Sequence, residues 1–221
     1  MISSKNYLGL DESHLVLFPN QDFFKGLPSA VEAFERLRKK ALDDGISLDL
    51  ASAYRSFERQ LKIFDDKFNL RRPVLDENEN ILDLSKENDE QKVEAILRFS
   101  AIPGLSRHHF GTDFDIYSKN LLPLGQKLQL TAYEYSEGQY FYPLEIWLSN
   151  NLSDFGFQRP FTGKGHIAFE PWHISYIREA SNIIENYKLE ELKSYLRTLD
   201  YPWIDSVIDV IDKRGLSLLG I

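Results

Sequence analysis

At 221 residues the chain has room for one large domain or two small ones, and it can bury a core without covalent staples. Its formal net charge of −8 argues against nucleic-acid binding, which needs clustered Lys and Arg, and does not favour anionic membranes. It contains no cysteine, so disulfides and thiolate ligands are excluded, and any zinc must be held by His, Asp or Glu.

Met1 to Tyr7 lacks the apolar stretch of a secretory signal, and no run is apolar enough to span a bilayer. Read literally, the product is cytoplasmic; a trimmed chain with a replacement start codon would look the same and would belong in the periplasm or cell wall. Residues 1–27 are mixed, with an apolar run from Leu15 to Phe18, and are expected to wrap the domain. A helix follows. Ser29 and Glu32 have capping-box spacing after Pro28, Val31, Phe34, Leu37 and Ala41 form one face, and Gly45 suits the C′ position.

Ile46, Leu48 and Leu50 alternate with Ser47, Asp49 and Ala51, which predicts a strand. It runs out at Ala53-Tyr54-Arg55-Ser56, where a second helix begins with Phe57, Leu61, Phe64 and Phe68 on one side. Arg55 therefore sits at a strand-to-helix junction and Gln60 about one turn into the helix, so both side chains could point into one cleft. An arginine at such a junction is often only an ion-pair partner. Residues 71–90 are polar and acidic and read as loop. Val93, Ile96, Leu97 and Ser100 predict a helix that stops before Pro103-Gly104.

Thr112 to Tyr117 reads as a strand, with Phe114 and Ile116 on one face and Asp113, Asp115 and Tyr117 on the other. A buried strand needs a reason to carry two aspartates on one side. Residues 119–142 read as a local insertion, with a hairpin turn near Glu137-Gly138. Residues 143–152 read as a helix with Leu144, Trp147 and Leu148 in the core. A Gly-rich turn from Thr162 to Gly165 leads to a strand candidate, His166 to Glu170, and Pro171 suits its end. Tyr176, Ile177, Ala180, Ile184 and Tyr187 predict a long amphipathic helix, and Trp203, Val207, Val210 and Ile211 a further one. No repeat or linker divides the chain, so residues 1–221 are expected to form one domain.

Two stretches carry the chemistry. Pro103 to Asp115 holds His108, His109, Asp113 and Asp115, and Glu170-Pro-Trp-His173 adds a carboxylate and an imidazole. Zinc hydrolases usually keep three protein ligands and one position for water, whose pKa the metal lowers, while a carboxylate that is not a ligand moves the proton. His108, Asp115 and His173 are the expected ligands, and Glu170 the expected base. Either stretch alone is weak, because paired histidines and Glu-x-x-His occur by chance. The pattern lacks the His-Glu-x-x-His helix, the Gly-x-Ser-x-Gly elbow, the P-loop and the dinucleotide fingerprint. A 2-His-1-carboxylate iron site uses the same ligand types; the six residues between His108 and Asp115, where such oxygenases usually have His-x-Asp, move weight toward zinc.

The pattern Ser106-x-His108-x-x-Gly111-x-x-x-Asp115, followed by Glu170-x-Trp172-His173, closely resembles the zinc D-alanyl-D-alanine carboxypeptidases. That family includes the vancomycin-resistance D,D-dipeptidases and carboxypeptidases and belongs with the lysostaphin-like and hedgehog-like zinc folds. Ala53-Tyr54-Arg55-Ser56 with Gln60 is similar to a third signature of the family, and the matches run in order over about residues 50–178.

The resemblance implies an α+β fold, with a small antiparallel sheet carrying the zinc site and helices packed outside it. It implies that His108, Asp115 and His173 bind zinc and that Glu170 is the general base. Arg55 would hold negative charge on the scissile carbonyl or orient the substrate. Gln60 and Ser106 would help bind the terminal D-residue and its carboxylate, and Gly111 and Trp172 would be structural. The implied partner is a peptidoglycan-derived peptide; the oligomeric state stays open. Most relatives carry a small residue where this chain has Asp113, which could hydrogen-bond a ligand histidine, contact a substrate amine, or be solvated at the rim. His109 could compete with His108, but the motif favours His108 and makes His109 a wall residue. The missing signal sits awkwardly with an extracytoplasmic substrate; cytoplasmic precursors or recycled muropeptides would reconcile it. Rival readings are an L,D-carboxypeptidase or an endopeptidase of the same fold, a muropeptide-binding metal protein without turnover, and an iron oxygenase.

Overall fold

The computed structural model describes residues 2–76, 79–164 and 166–220. A short helix, α1 (Ser4–Tyr7), and a two-stranded ribbon of β1 (Val16–Leu17) and β2 (Lys25–Gly26) lead into α2 (Pro28–Asp43). Then come β3 (Leu48–Ser52), α3 (Phe57–Phe68), α4 (Asp89–Ile96) and β4 (Asp113–Ser118). The rest comprises α5 (Tyr142–Asn151), β5 (Phe157–Gln158), β6 (His173–Tyr176), α6 (Ile177–Glu185), α7 (Leu189–Leu196) and α8 (Ile204–Arg214). Short 3₁₀ turns at Arg107–Phe110, Ala132–Tyr135, Leu152–Phe155 and Gly215–Leu219 join them. The result is the expected α+β architecture, with helices around a small antiparallel sheet. No described helix is long and apolar enough to cross a membrane.

The main sheet has the order β3-β4-β6-β5, with every pair antiparallel. Asp113 pairs with Ser175, Phe114 with Ile174 and Asp115 with His173. Because side chains alternate across a strand, this register sorts the two strands into an apolar and a polar face. Phe114, Ile116 and Ile174 are completely buried on the apolar face. There Phe114 meets Phe18 and Phe34 edge-on, with ring centroids 5.1 and 5.7 Å away. Each such ring stabilises the fold by about 1.5–3 kcal/mol through burial. Asp113, Asp115, His173 and Ser175 share the other face, so the two aspartates of one strand are explained by what stands opposite them.

Several local expectations change. Helix α2 starts at Pro28 with Leu27 as its cap, so Ser29 lies inside the helix and the capping box does not form; proline is preorganised for the first helical position and fixes the earlier start. His166 to Glu170 is not a strand. Only Phe169 makes a bridge, to Thr162, and the paired strand is β6, beyond Pro171. Gly165, in the expected turn, lies outside the described residues. The 119–142 insertion forms no hairpin: Glu134 caps its own 3₁₀ turn by accepting from Gln129 N and Thr131 N, and the Tyr135 hydroxyl docks it on Ile116 O at 2.7 Å. The chain breaks after Glu185 and restarts as α7, which the sequence reading did not separate. Trp147 is only partly buried and donates to Asp44 from its indole N–H.

Candidate metal centre and substrate cavity

Three segments converge above the polar face of the sheet. In β3 the register against β4 shifts between Leu50 and Ser52, a bulge that bends the strand and releases Tyr54 and Arg55 toward the 3₁₀ turn. Arg55 N donates to His108 O at 3.1 Å, and the His108 ring is turned by a 2.9 Å bond between Nδ1 and Ala53 O. With Nδ1 as the donor, Nε2 keeps its lone pair facing Asp115. Gly111 ends the turn at φ +72°, a left-handed conformation that glycine adopts without strain, and so delivers Asp113 and Asp115 to β4.

His108, Asp115 and His173 are buried, and one ligand atom from each lies within 4.8 Å of the others. His108 Nε2 is 3.2 Å from Asp115 Oδ2, and His173 Nδ1 is 3.0 Å from Asp115 Oδ1. Donors that share one tetrahedral zinc stand about 3.3 Å apart, given bonds of about 2.0–2.1 Å, so the spacing fits the ion. The all-N/O donor set fits it too. Asp115 is held well below the usual carboxylate range: burial opposes ionisation, and the neighbouring imidazoles outweigh it. Burial disfavours the His173 cation, but hydrogen bonds to Asp113 and Asp115 hold its pKa up at about 9.

Glu170 precedes β6 by a turn in which His173 N donates to Glu170 O. Its Oε2 lies 3.7 Å from His173 Nδ1, beside the donor triad. Burial pushes its pKa up to about 7, assisted by the Asp115 charge and opposed by His173, Arg55 and Lys67. Arg55 Nη2 stands 4.0 Å from Asp115 Oδ2, and Nη1 donates to Gln60 Oε1 at 2.9 Å. A cavity of about 260 Å³ opens here, lined by Arg55, Ser106, His108, Asp115, Glu170 and His173 among others. Lys67 reaches its wall by donating to Ser100 Oγ at 2.7 Å; burial lowers its pKa to about 8, as do the charges of Arg72 and Arg55.

Two expected substrate contacts stand elsewhere. Gln60 is completely buried behind Arg55, with its amide donated to Ala101 O, so it braces the arginine and is not part of the cavity lining. Asp113 is also completely buried and not at the cavity; it lies behind His173. That location rules out the solvated-rim and substrate-amine readings and leaves the ligand-histidine one. His109 does not compete with His108: its ring accepts from Gly104 N and bonds Arg55 O at 2.6 Å, tying two loops together. It is a brace, not a wall residue.

Four further segments contribute that were not expected from the sequence. Arg107, between Ser106 and His108, is buried and pairs with Asp113 at 2.7 Å; an arginine and an aspartate six residues apart around a glycine turn was the available signal. The 119–142 insertion supplies Gln129, Leu130 and Thr131 to the cavity. It is latched to the 71–90 loop, whose Leu75 and Glu79 also line the cavity, by Ala132 N donating to Glu79 at 2.8 Å. Leu218, far along the chain, lines the cavity too.

A buried His-Asp-His triad with a fourth, acidic side chain beside it is the arrangement of a mononuclear metallohydrolase. The family model for VanY, a D-alanyl-D-alanine carboxypeptidase, matches residues 27–179. An uncharacterized protein of Haemophilus influenzae is 43% identical over 94 residues, which are 41% of this chain and 72% of that protein. The fold is similar to that of VanYB solved with D-alanine-D-alanine, at 23% identity and a TM-score of 0.54 over 86% of this chain and 91% of the other. It is also similar to a VanY D,D-pentapeptidase mutant solved with Zn(II), at 23% identity and a TM-score of 0.53 over 81% and 89% of the two chains. The chain belongs to the VanY D-alanyl-D-alanine carboxypeptidase family. It is a carboxypeptidase-type enzyme whose His-Asp-His donor set fits zinc.

Proposed function

We propose that this enzyme removes the C-terminal residue from D-amino-acid-containing peptidoglycan peptides, with a D-alanyl-D-alanine end as the preferred substrate. His108, Asp115 and His173 hold the zinc. Zinc in that position supplies a Lewis acid for the scissile carbonyl and for the attacking water. Glu170 takes the proton from the water and returns it to the leaving amine, and a pKa near neutrality suits both halves of that transfer. Arg55 faces the developing oxyanion, braced by Gln60. The carboxylate of the departing residue meets the positive side of the cavity, where Arg55 and the Lys67–Ser100 pair stand, and Ser106 helps to seat that residue.

The observation that carries this reading is the juxtaposition of Glu170 with a buried triad at one end of a cavity of about 260 Å³. The test is Glu170→Gln, assayed on synthetic peptides ending in D-Ala-D-Ala, with products weighed by mass spectrometry. Turnover should fall by at least about 10³-fold, since the base takes part in both proton transfers. One zinc per chain should remain bound. Retained turnover would remove Glu170 from the mechanism. Product masses that show cleavage at an L,D bond, or inside the peptide, would replace the proposed bond.

A further inference from the structure

Behind His173, on the side away from the cavity, the sheet buries a second carboxylate. Asp113 is two residues before Asp115 on β4 and points to the same face. The register sets Asp115 opposite His173 and Asp113 opposite Ser175, so the imidazole lies between two carboxylates of one strand. His173 Nδ1 is 3.0 Å from Asp115 Oδ1, and its Nε2 is 3.0 Å from Asp113 Oδ1.

Asp113 is held by more than the histidine. Its Oδ1 accepts from Arg107 Nε at 2.7 Å, and its Oδ2 accepts from the Thr112 hydroxyl at 2.5 Å and from the Ser175 hydroxyl at 3.1 Å. Arg107 also donates from Nη2 to Ser175 Oγ at 2.6 Å and from Nη1 to Leu219 O at 3.2 Å. The Arg107 side chain is 4% exposed and that of Asp113 0%. A buried ion pair endures when its ions are also hydrogen-bonded, and here each of the three guanidinium nitrogens has an acceptor. Every acceptor position on Asp113 has a donor, and the remaining donor is an imidazole N–H. The carboxylate can keep that bond only if the proton sits on Nε2. The proton that a metal displaces is then the one on Nδ1, on the side where Asp115 and Glu170 stand.

We infer that the Arg107–Asp113 pair is a positioning unit which fixes the tautomer and ring orientation of His173, so that Nδ1 is the metal-binding nitrogen. The inference rests on the proposed role of His173 as a ligand. A small residue at position 113 would leave the ring free to change tautomer. This chain instead places a charge-balanced clamp there and carries it to the 3₁₀ turn at Gly215–Leu219, which lies outside residues 27–179. Outer partners of this kind are worth about 10–100-fold in metal affinity.

The double variant Arg107→Met/Asp113→Ala removes both charges and strands neither. Zinc affinity, measured by competition with a chromophoric chelator, should fall by about 10–100-fold, while circular dichroism and a cooperative melt stay as in the parent. Long-range ¹H–¹⁵N spectra of the zinc-loaded parent should show His173 protonated at Nε2 and metallated at Nδ1. Asp113→Asn keeps an acceptor for that proton without the charge; it should retain the Nε2–H pattern and lose less affinity than the double variant. Zinc affinity within twofold of the parent in the folded double variant overturns the inference, as does metallation at Nε2 in the parent. Should the double variant fail to fold, the parent spectrum and Asp113→Asn decide. His173→Ala separates the two levels: unchanged zinc affinity there sinks the ligand assignment itself, whereas loss there with no loss in the double variant sinks only the positioning role.

Discussion

Arg55 and Gln60 act as one side-chain unit. The guanidinium is lightly exposed at the cavity, and the amide behind it is completely buried and fixed by Ala101 O. Arg55→Ala should lower kcat by about 10²–10³, the usual cost of losing one oxyanion donor. Gln60→Ala should cost less, because the arginine stays but loses its brace. Combining the two should be no worse than Arg55→Ala alone, since residues in one network are not additive. Steady-state kinetics of the three variants check this; an additive double loss would mean that Gln60 works independently of Arg55. The types and spacings of His108, Asp115, Glu170 and His173 were legible in the sequence, because the chemistry restricts which residues can serve. The direction of Gln60 was not. A one-turn offset puts two side chains on one helix face without saying which reaches solvent. The place of Asp113 was open for a similar reason: alternation gave its face, and only the register against β6 shows that His173 and Ser175 occupy that face.

At the level of elements, the site depends on how the 3₁₀ turn carrying His108 hands over to β4. Gly111 makes that transfer at φ +72°, and a Cβ there would come within 2.5 Å of Leu15 and 3.1 Å of Leu27 N. Leu27 N also donates to Gly111 O at 2.8 Å. Gly111→Ala should therefore cost at least about 1–2 kcal/mol from the backbone alone, lower the melting temperature by about 2–8 °C and weaken zinc binding. Gly125 has a similar positive φ but nothing within 4 Å of a Cβ, and provides the control. Its alanine variant should melt lower as well, yet bind zinc like the parent. Equal zinc affinity in both variants would detach the turn from the site. The strand at Thr112–Tyr117 was legible because it alternates cleanly. The insertion was not, because capping of backbone N–H groups by Glu134 and docking of Tyr135 replace any periodic pattern. His166 to Glu170 misled for the opposite reason: a brief apolar run resembled a strand, while the strand that pairs on both edges begins after Pro171.

Across the whole molecule, the cost of gathering these charges shows in how stability depends on pH. In the zinc-free protein, His173 has a pKa of about 9 against an ordinary value of 6.5; burial opposes its charge, and the bonds to Asp113 and Asp115 prevail. A folded-state pKa raised in this way gives stability that is complete below pH 6.5 and is lost as pH rises through 9. Glu170, raised to about 7 by burial, acts in the same direction at lower pH. Buried His109, pushed down to about 3, affects stability mainly below pH 7, and Lys67, lowered to about 8 by burial, opposes the loss above pH 8. Between pH 7 and 8, chelator-stripped protein should therefore lose about 1 kcal/mol of unfolding free energy. The zinc-loaded form should stay nearly flat, because the metal takes the place of the proton. Urea melts of both forms at the two pH values test this, and parallel behaviour would refute it.

The turn at Gly215–Leu219 has a practical corollary. Leu218 forms part of the cavity wall, Leu219 O is gripped by Arg107, and Gly220 lies so close to Phe161 that a Cβ would stand 2.7 Å from its ring. A change that displaces this turn would therefore disturb the cavity wall at Leu218 and the Arg107–Asp113 pair together.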